Sequence, residues 1–305
     1  MVGRKRRGDD INGVLVLDKP AGVTSNAALQ QVRRLLNAAR AGHTGALDPL
    51  ATGVLPLCFG EATKFAQRLL EADKTYCTVA RLGERTTTSD ADGETVQQRA
   101  VPEALDAASV EAVLAPFRGA IEQVPSMYSA LKYQGRPLYE YAREGQTVPR
   151  EARAIRIKEL TVLRLDGDEL ALRVRCSKGT YIRTLVDDIG EALGCGAHVA
   201  ELRREEAGPF DLGQAIPLDQ LEAMGRVAAR GQLWATDGLL SDLPETVLDQ
   251  PRAVSISNGQ AVTMSPSEAP VDGLCRIYNP EGRFLGLAEK VGDAVRPRRL
   301  MRTGA

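Results

Sequence analysis

The sequence predicts an α+β fold in which a mixed, mostly antiparallel sheet is flanked by helices. Residues 170–176 alternate between large apolar side chains and Ala or Arg, and the preceding Asp166-Gly167 pair supplies a hairpin turn. Apolar residues recur at helical spacing between the predicted strands. The chain has 305 residues, more than one hydrophobic core usually holds, so a second domain is expected.

The first half of the chain is predicted to alternate between helices and strands. Thr24 or Ser25 can cap a helix that runs through Asn37, because their hydroxyl groups accept from the free N–H groups of a first turn. The remaining elements are bounded by turn residues, and they are strands over 13–17 and 74–82, helices over 62–70 and 102–114, and a polar turn over 86–93.

The second half is predicted to begin with paired strands and to end in a small β-rich domain. The pattern gives a strand at 155–165 before the one at 170–176, a helix over 180–193, and helical and irregular segments over 217–244. Four short strands follow, at 253–256, 260–264, 273–278 and 283–289. We therefore divide the chain into a basic disordered tail (1–10), a first domain (11–245) and a small all-β domain (246–305).

The composition indicates an ordinary globular protein without a membrane segment or a metal site. Hydrophobic residues make up 43% and charged residues 26% of the chain, and no apolar run approaches the ~20 residues of a membrane span. The N-terminus lacks the apolar core of a secretory signal. Five scattered cysteines and two histidines form no zinc pattern, so we expect reduced thiols in the cytoplasm and metal-free chemistry.

Charge is distributed unevenly, although the net charge is −1. Residues 131–158 carry seven Lys or Arg against three Glu, and residues 290–305 carry five against one Asp, whereas residues 240–275 hold five carboxylates and one Arg. Such segregation is typical of a protein that offers a basic face to phosphates. Ordinary scatter of charge over solvated surfaces is the alternative interpretation.

A stretch rich in glycine and proline, residues 42–64, is the main candidate for a functional site. Its glycines allow backbone angles that a β-carbon forbids, and Pro49 pushes the residue before it, Asp48, toward an extended conformation. The stretch is too irregular for a plain strand, and it would hold the Asp48 carboxylate in a fixed direction near His43. On turn chemistry alone, an Asp bonded to its own backbone is the simpler interpretation.

The second informative stretch lies between residues 123 and 153. Aromatic faces beside cations provide stacking surfaces and phosphate contacts, a combination that binds single-stranded RNA. A segment buried in the core would not tolerate Lys132 and Arg136 on either side of Tyr133. Four of the seven tyrosines fall within fourteen residues here and are interleaved with cations, in the order Tyr128, Lys132, Tyr133, Arg136, Tyr139, Tyr141 and Arg143.

Together these motifs resemble the TruB family of pseudouridine synthases, whose bacterial members isomerise uridine 55 in the T arm of tRNA. Residues 42–64 match the family's catalytic loop over their whole length. The resemblance covers residues 12–215 strongly and the last sixty or so loosely, where the family carries a reduced PUA RNA-binding domain. Residues 123–153 would then be the thumb-like insertion that closes over the T loop. The other matches are Leu-Asp-Lys-Pro at 17–20, Lys-Thr-Tyr at 74–76, Gln-Val-Pro-Ser-Met-Tyr-Ser-Ala-Leu-Lys at 123–132 and Gly-Thr-Tyr-Ile-Arg at 179–183.

The resemblance implies a role for each site residue. Asp48 would be the essential carboxylate, ionised because Arg183 beside it holds its pKa down. Tyr76 and Tyr181 would contact the target base, with the Tyr76 phenol near C5, and His43 would stack where the extruded base was. The other implied contacts are Leu202, whose backbone reaches the uracil, Lys19 and Lys64 at the substrate, and Tyr128, Lys132, Arg136 and Tyr139 on the thumb-like insertion.

The resemblance further implies an RNA-modifying isomerase that flips a uridine and exchanges its C1′–N1 bond for a C1′–C5 bond. The expected partner is the T arm of tRNA, with no cofactor, no metal, no membrane and no obligate protein partner, in a monomeric cytoplasmic enzyme. An RNA glycosylase, with Asp90 or Asp92 as the second acid, and a non-catalytic RNA-folding module (a tRNA chaperone) remain as alternatives. A phosphate-loop enzyme is excluded because no glycine run ends in Gly-Lys-Ser or Gly-Lys-Thr.

Overall fold

The computed structural model describes residues 8–264 and 272–302, so most of the expected basic tail lies outside the described residues. It confirms the α+β class. The helices are α1 (Ser25–Leu35), α2 (Ala66–Glu71), α3 (Ala107–Leu114), α4 (Leu138–Arg143), α5 (Ile182–Ala192), α6 (Leu218–Arg230) and α7 (Gln250–Ser257). The strands are β1 (Gly13–Lys19), β2 (Ala41–His43), β3 (Thr52–Phe59), β4 (Lys74–Leu82), β5 (Glu84–Thr86), β6 (Thr95–Gln98), β7 (Gly119–Gln123), β8 (Lys132–Tyr133), β9 (Arg136–Pro137), β10 (Arg153–Asp166), β11 (Glu169–Cys176), β12 (Ala197–Ala207), β13 (Phe210–Asp211), β14 (Ile216–Pro217), β15 (Glu245–Val247), β16 (Val262–Thr263), β17 (Gly273–Tyr278), β18 (Phe284–Val291) and β19 (Ala294–Leu300).

A ten-stranded mixed sheet is the centre of the first part of the chain. Its strands follow the order β14-β1-β3-β12-β4-β11-β10-β7, with β2 added to β3 and β13 to β12. β12 pairs with β3 and β1 pairs with β14 in parallel, and the other neighbours run antiparallel. The strand β12 therefore brings residues near position 200 between two strands from the first hundred residues.

Helices α1 and α5 cover the sheet with apolar faces at helical spacing. As expected, the Thr24 hydroxyl caps α1 by accepting from the N–H of Ala27 at 3.1 Å. Among the described helices, none combines the length and the apolar character needed to cross a membrane. The buried residues of the two helices, which join the sheet in one core, are Ala28, Leu29 and Val32 of α1 and Ile182, Leu185, Val186 and Ile189 of α5.

Residues 42–64 are more regular than the sequence predicts. They include the end of β2 and the whole of β3, and the irregular backbone is limited to residues 44–51. Gly53 permits this arrangement, because its φ is +102° and a Cβ there would lie 2.1 Å from the carbonyl oxygen of Arg204. A strand that packs its backbone so closely against β12 needs a residue without a side chain at this point.

The predicted strand at 253–256 is wrong, because these residues belong to helix α7. Asp249 caps the helix by accepting from the N–H of Arg252 at 2.9 Å, and Pro251 occupies the first turn. These local signals outweigh the β-branched residues Val254 and Ile256, of which Ile256 is buried in the core. The long strand β12 was not predicted.

A five-stranded sheet in the order β15-β17-β18-β19-β16 forms the C-terminal part, with a core of its own that includes α7. It is joined to the first part at the buried carboxylate of Glu61. That carboxylate accepts from the N–H of Arg302 at 2.8 Å and lies 2.5 Å from the Lys64 ammonium. Lys64 in turn donates to the carbonyl oxygen of Leu300 at 2.9 Å.

The insertion of residues 124–152 connects β7 to β10. These two strands pair so that Gln123 lies opposite Arg153. The insertion contains a hairpin of β8 and β9 together with α4. The chain therefore leaves and re-enters the large sheet at neighbouring points.

Candidate active site

Asp48 lies in the irregular segment before β3 and forms an ion pair with Arg183, the second residue of α5. The Arg183 Nε lies 2.8 Å from Oδ2 of Asp48, and Nη2 donates to Oδ1 at 3.0 Å. This is the bidentate geometry that orients a carboxylate most strongly. The Arg183 side chain is 5% exposed and that of Asp48 is 37% exposed, so the carboxylate is accessible while its cation is buried.

Asp90 is a second carboxylate at the same guanidinium. Its Oδ2 lies 3.5 Å from the Nε of Arg183, and its side chain is buried. Arg183 also donates to the carbonyl oxygens of Thr88 at 3.0 Å and Tyr128 at 2.9 Å. One guanidinium therefore joins the Asp48 segment, the polar turn near residue 90 and the base of the insertion. From the sequence, Asp90 was considered only as the second acid of a glycosylase.

The net electrostatic effect on Asp48 differs from the expectation. Burial raises the pKa of Asp48 above its ordinary value although one side of the carboxyl group is open, and the like charge of Asp90 raises it further. Arg183 and, to a smaller extent, Lys19 lower it. Arg183 therefore lowers the pKa of Asp48 as expected, but burial raises this pKa by more, so the net shift is upward. The carboxylate is consequently more basic than an exposed one.

This raised pKa predicts where activity is lost in acid. A reaction that needs ionised Asp48 slows as the pH falls through its pKa, so the acid limb of kcat/KM lies at higher pH than an ordinary carboxylate would place it. Asp90→Asn removes a like charge, and we expect the limb to move to lower pH. Values of kcat/KM measured from about pH 4 to about pH 8 test the position of the acid limb in wild type and its shift in Asp90→Asn. A limb that moves to higher pH in Asp90→Asn, or that does not move, contradicts this account.

Buried side chains hold the segment that carries Asp48. The Lys19 ammonium donates to three backbone carbonyl groups, including that of Pro49 at 3.3 Å. The Ser25 hydroxyl accepts from the N–H of Leu47 at 2.7 Å and donates to its carbonyl oxygen at 3.0 Å. Burial lowers the pKa of Lys19 to about 8. Lys19 is fully buried, so in the structure its ammonium supports the backbone of the Asp48 segment; its implied contact with the substrate stays a prediction.

Tyr76 and Tyr181 reach the same region from the sheet and from the start of α5. Tyr76 lies on β4 opposite Arg204 of β12, and Tyr181 is the residue before the first turn of α5. Burial raises the pKa of both phenols, and the charge of Asp48 raises both further. Two neutral aromatic side chains therefore lie close to the Asp48 carboxylate.

His43 is the last residue of β2 and is half-buried. Its Nδ1 is buried and has no hydrogen-bond partner among the described residues. Burial, with a contribution from the charge of Arg204, lowers the pKa of His43, so the ring is neutral near pH 7. A neutral imidazole suits stacking against bases better than pairing with a phosphate.

Arg204 is a site residue that the sequence analysis did not identify. It is almost completely buried, its Nε donates to a carbonyl group of β3 at 2.7 Å, and its Nη2 donates to that of Gly45 at 3.3 Å. A buried guanidinium held by carbonyl groups supplies a fixed positive charge next to Tyr76. The adjacent pair Arg203-Arg204 was an available signal, because alternation along a strand turns one of them inward. Leu202, on the same strand, is buried in the core.

Lys64 does not join this group of residues. Its ammonium is bound by Glu61 and by the carbonyl oxygen of Leu300 at the junction with the second sheet. The contact of Lys64 with the substrate that the resemblance implies stays a prediction. At this junction its charge stabilises the contact between the two sheets.

On the insertion, the structure distinguishes Lys132 from Arg136. Lys132 is exposed at the start of β8. Arg136 donates to Glu140 at 2.9 Å and to Glu144 at 2.8 Å, and its guanidinium lies 4.7 Å from the centre of the Tyr141 ring. Arg136 therefore already has anionic partners within the insertion, whereas the Lys132 ammonium faces solvent.

The two implied tyrosine contacts lie at the base of the insertion and on α4. Tyr128 is half-buried, and its carbonyl oxygen accepts from Arg183. Tyr139 has the guanidinium of Arg143 at 5.2 Å from its ring centre. An aromatic ring beside a guanidinium group is a suitable stacking surface for a base.

Groups that could hold a metal ion, with three or more His, Cys, Asp or Glu side chains, do not occur among the described residues. All five cysteines are free thiols, and four of them are buried.

Three family models match consecutive segments of the chain. They are the N-terminal domain of the TruB family pseudouridylate synthases over residues 33–182, the tRNA pseudouridylate synthase B C-terminal domain over residues 183–243, and the C-terminal domain of pseudouridine synthase II TruB over residues 244–301.

Comparison with individual proteins also finds pseudouridine synthases. A tRNA pseudouridine synthase B from Pseudomonas fluorescens (strain Pf0-1) is 54% identical over 304 residues, which cover 98% of each chain. The one from Escherichia coli O1:K1 / APEC is 52% identical over 309 residues, which cover 97% of each. Among solved structures, a Cbf5-Nop10-Gar1 complex contains a similar chain, with a TM-score of 0.72, 28% identity, and 95% of this chain and 85% of that chain covered. An H/ACA RNP bound to a substrate RNA containing 2′-deoxyuridine contains another, with a TM-score of 0.71, 25% identity and coverage of 98% and 91%.

Proposed function

Since the chain belongs to the TruB family of pseudouridine synthases, we propose that it acts on uridine 55 in the T arm of tRNA. It is an RNA-modifying isomerase that converts uridine in tRNA to pseudouridine. The observation that carries the assignment of residues is the accessible Asp48 carboxylate, which is held in a bidentate pair by the buried guanidinium of Arg183.

The reaction exchanges one glycosidic bond for another. The C1′–N1 bond breaks, the base turns, and the C1′–C5 bond forms. One proton leaves C5 and one is taken up at N1, so the reaction is balanced without a cofactor. In our proposal Asp48 either attacks C1′ as a nucleophile or removes the 2′ proton to give a glycal. Both routes need an ionised carboxylate that is accessible and basic, and the raised pKa and partial exposure of Asp48 support this role.

The target uridine has to leave the RNA stack before its ribose can reach Asp48, at a cost of a few kcal/mol. We assign the extruded uracil to the space beside Tyr76 and Tyr181, with the backbone of Leu202 as a hydrogen-bonding edge. His43 then stacks in the gap that the base leaves. The neutral state of His43 and its unpartnered, buried Nδ1 support this assignment.

Incubation with a tRNA T-arm transcript, followed by chemical detection of pseudouridine, tests the proposal. We expect uridine 55 to be converted with no change in the mass of the RNA. Release of free uracil would instead indicate an RNA glycosylase. A tRNA-folding effect that persists in Asp48→Asn, with no modified base in either protein, would support the non-catalytic module.

Lys132→Ala is expected to weaken tRNA binding and to reduce the slope of log K against log salt by about one, because it removes one exposed phosphate-binding charge. Binding titrations at several salt concentrations measure this slope. Arg164→Ala is a matched control, because Arg164 is paired with Asp166 and Glu169 on a distant hairpin. An unchanged slope in Lys132→Ala would argue against an RNA contact at this position.

Arg136→Ala should act differently from Lys132→Ala. It leaves Glu140 and Glu144 without their cation, so we expect the insertion to become more negative and less ordered. Binding should weaken together with faster proteolysis of residues 124–152. Weakened binding with no change in proteolysis would indicate a direct phosphate contact, as the resemblance implies.

We further propose a monomeric cytoplasmic enzyme without an obligate protein partner. The chain would consist of a tail (1–10), a catalytic domain (11–245) with its thumb-like insertion (123–153), and a PUA-like domain (246–305). The five-stranded sheet has a core of its own, which supports a separate C-terminal part, and a further cluster packs Phe284, Leu287 and Met301 against the first part. Strand β15 begins at Glu245, so the second sheet starts at the proposed boundary. Sedimentation of the purified protein with and without tRNA tests the oligomeric state.

A further inference from the structure

Gln123, the last residue of β7, holds Tyr181 at both of its backbone groups. Gln123 is 3% exposed. Its Oε1 accepts from the N–H of Tyr181 at 2.8 Å, and its Nε2 donates to the carbonyl oxygen of Tyr181 at 3.0 Å. The two residues are 58 positions apart. A buried amide that makes two such bonds to one residue fixes its orientation, because a rotation that breaks one bond also breaks the other.

Tyr181 is the residue from which α5 begins. Its carbonyl oxygen also accepts from the N–H of Leu185 at 3.0 Å, the first bond of the helix, and no side chain caps this helix end. Arg183 follows two residues later. A displacement of Tyr181 would therefore move an aromatic side chain of the site together with the guanidinium that is bound to Asp48.

Gln123 also lies at the root of the insertion. It is opposite Arg153 in the ladder of β7 and β10, and the chain leaves the sheet at the next residue. The carbonyl oxygen of Tyr128, five residues after Gln123, accepts from Arg183. The base of the insertion and the start of α5 are consequently joined at two points, one through Gln123 and one through Arg183.

We propose that Gln123 is a positioning residue that holds Tyr181 and Arg183 against Asp48 and fixes both to the base of the insertion. This inference rests on the proposed function, in which Asp48 and Arg183 have their roles. Because Gln123 acts through Tyr181 and not by contact with the substrate, its loss should slow the chemical step. Affinity for tRNA depends on the exposed surfaces that contact RNA.

Two substitutions distinguish the contributions of the two hydrogen bonds that the Gln123 amide makes. Gln123→Met keeps the length of the side chain and removes both bonds. Gln123→Glu keeps the acceptor for the N–H of Tyr181, but an ionised carboxylate cannot donate to the carbonyl oxygen. Protonation of that Glu restores a donor. Glu122→Gln is the matched control, because Glu122 is exposed on the same strand.

The assay is single-turnover conversion of the T-arm transcript by the full-length protein in excess, with Kd and Tm measured in parallel. We expect Gln123→Met to lower the rate constant about 10- to 100-fold and to leave Kd within about twofold. The rate of Gln123→Glu relative to wild type should rise as the pH falls, and Glu122→Gln should match wild type. The Tyr181 amide should exchange its hydrogen faster in Gln123→Met.

A folded Gln123→Met with a rate within about threefold of wild type, or a loss confined to Kd, would overturn the proposal. Slow exchange of the Tyr181 amide in that variant would overturn it as well. If Gln123→Met does not fold, the relative recovery of Gln123→Glu in acid decides the question. If the wild type makes no pseudouridine, the proposed function fails, and amide exchange still tests whether Gln123 holds Tyr181.

Discussion

Asp48→Asn is expected to abolish the conversion of uridine in a protein that is as stable as wild type or more stable. The rate constant should fall at least about 10⁴-fold, because an amide neither attacks C1′ nor accepts the 2′ proton. Burial raises the pKa of Asp48 in the folded protein. At pH values between the ordinary pKa and the raised pKa, the folded state binds more protons than the unfolded state. Above this pH range, the ionised Asp48 carboxylate therefore lowers the free energy of unfolding. A neutral Asn removes that cost.

Arg183 keeps a charged partner in this variant, since Asp90 remains 3.5 Å from its Nε. Thermal melts at about pH 7 and single-turnover assays measure stability and rate in the same preparation. Asp92→Asn makes the same change of charge at an exposed position of the neighbouring turn and should leave the rate unchanged. A clear loss of stability in Asp48→Asn would contradict the electrostatic account. Conversion at nearly the wild-type rate would remove Asp48 from the chemistry.

Arg183→Ala is expected to lose both activity and stability. The free energy of unfolding should fall by about 3–5 kcal/mol, because the substitution leaves two neighbouring carboxylates, Asp48 and Asp90, without the cation that they share. The carbonyl groups of Thr88 and Tyr128 also lose their donor. Activity falls because Asp48 is no longer oriented and the base of the insertion is no longer joined to α5.

The stability loss of Arg183→Ala should shrink as the pH falls, since protonation removes the charges that Arg183 neutralises. Denaturant titrations at neutral and acidic pH measure this trend. Arg173→Ala is the control, because Arg173 is half-exposed and belongs to a surface network with Glu159 and Glu205, for which a loss of at most about 1 kcal/mol is expected. Equal stabilities of Arg183→Ala and Asp48→Asn would show that Arg183 has no special structural role.

The amino-acid sequence by itself determined the elements whose signals are local. A capping Thr24 and apolar residues at helical spacing were enough for α1. Strict alternation and a nearby turn signal were enough for the hairpin of β10 and β11, although the turn residues are Gly167 and Asp168, one position later than predicted. Asp48 could be selected as well, because Pro49 and the surrounding glycines restrict the backbone beside it. The sequence failed at residues 253–256, where β-branched residues suggested a strand and the cap at Asp249 produced a helix.

The resemblance implied Arg183 beside Asp48, but the distances around Asp48 and the presence of Asp90 at the same guanidinium were decided only by the tertiary structure. Arg183 and Asp90 approach Asp48 through the packing of elements that are distant in sequence. Strand β12 lies between β3 and β4, and this position buries Arg204 beside Tyr76. The tertiary structure likewise decided the sign of the pKa shift of Asp48 and the burial of Lys19. It also decided the two hydrogen bonds between the Gln123 amide and the backbone of Tyr181. Capping and periodicity depend on residues a few positions apart along the chain. Desolvation and Coulomb energies depend on distances in space, and these are set by the pairing of remote strands.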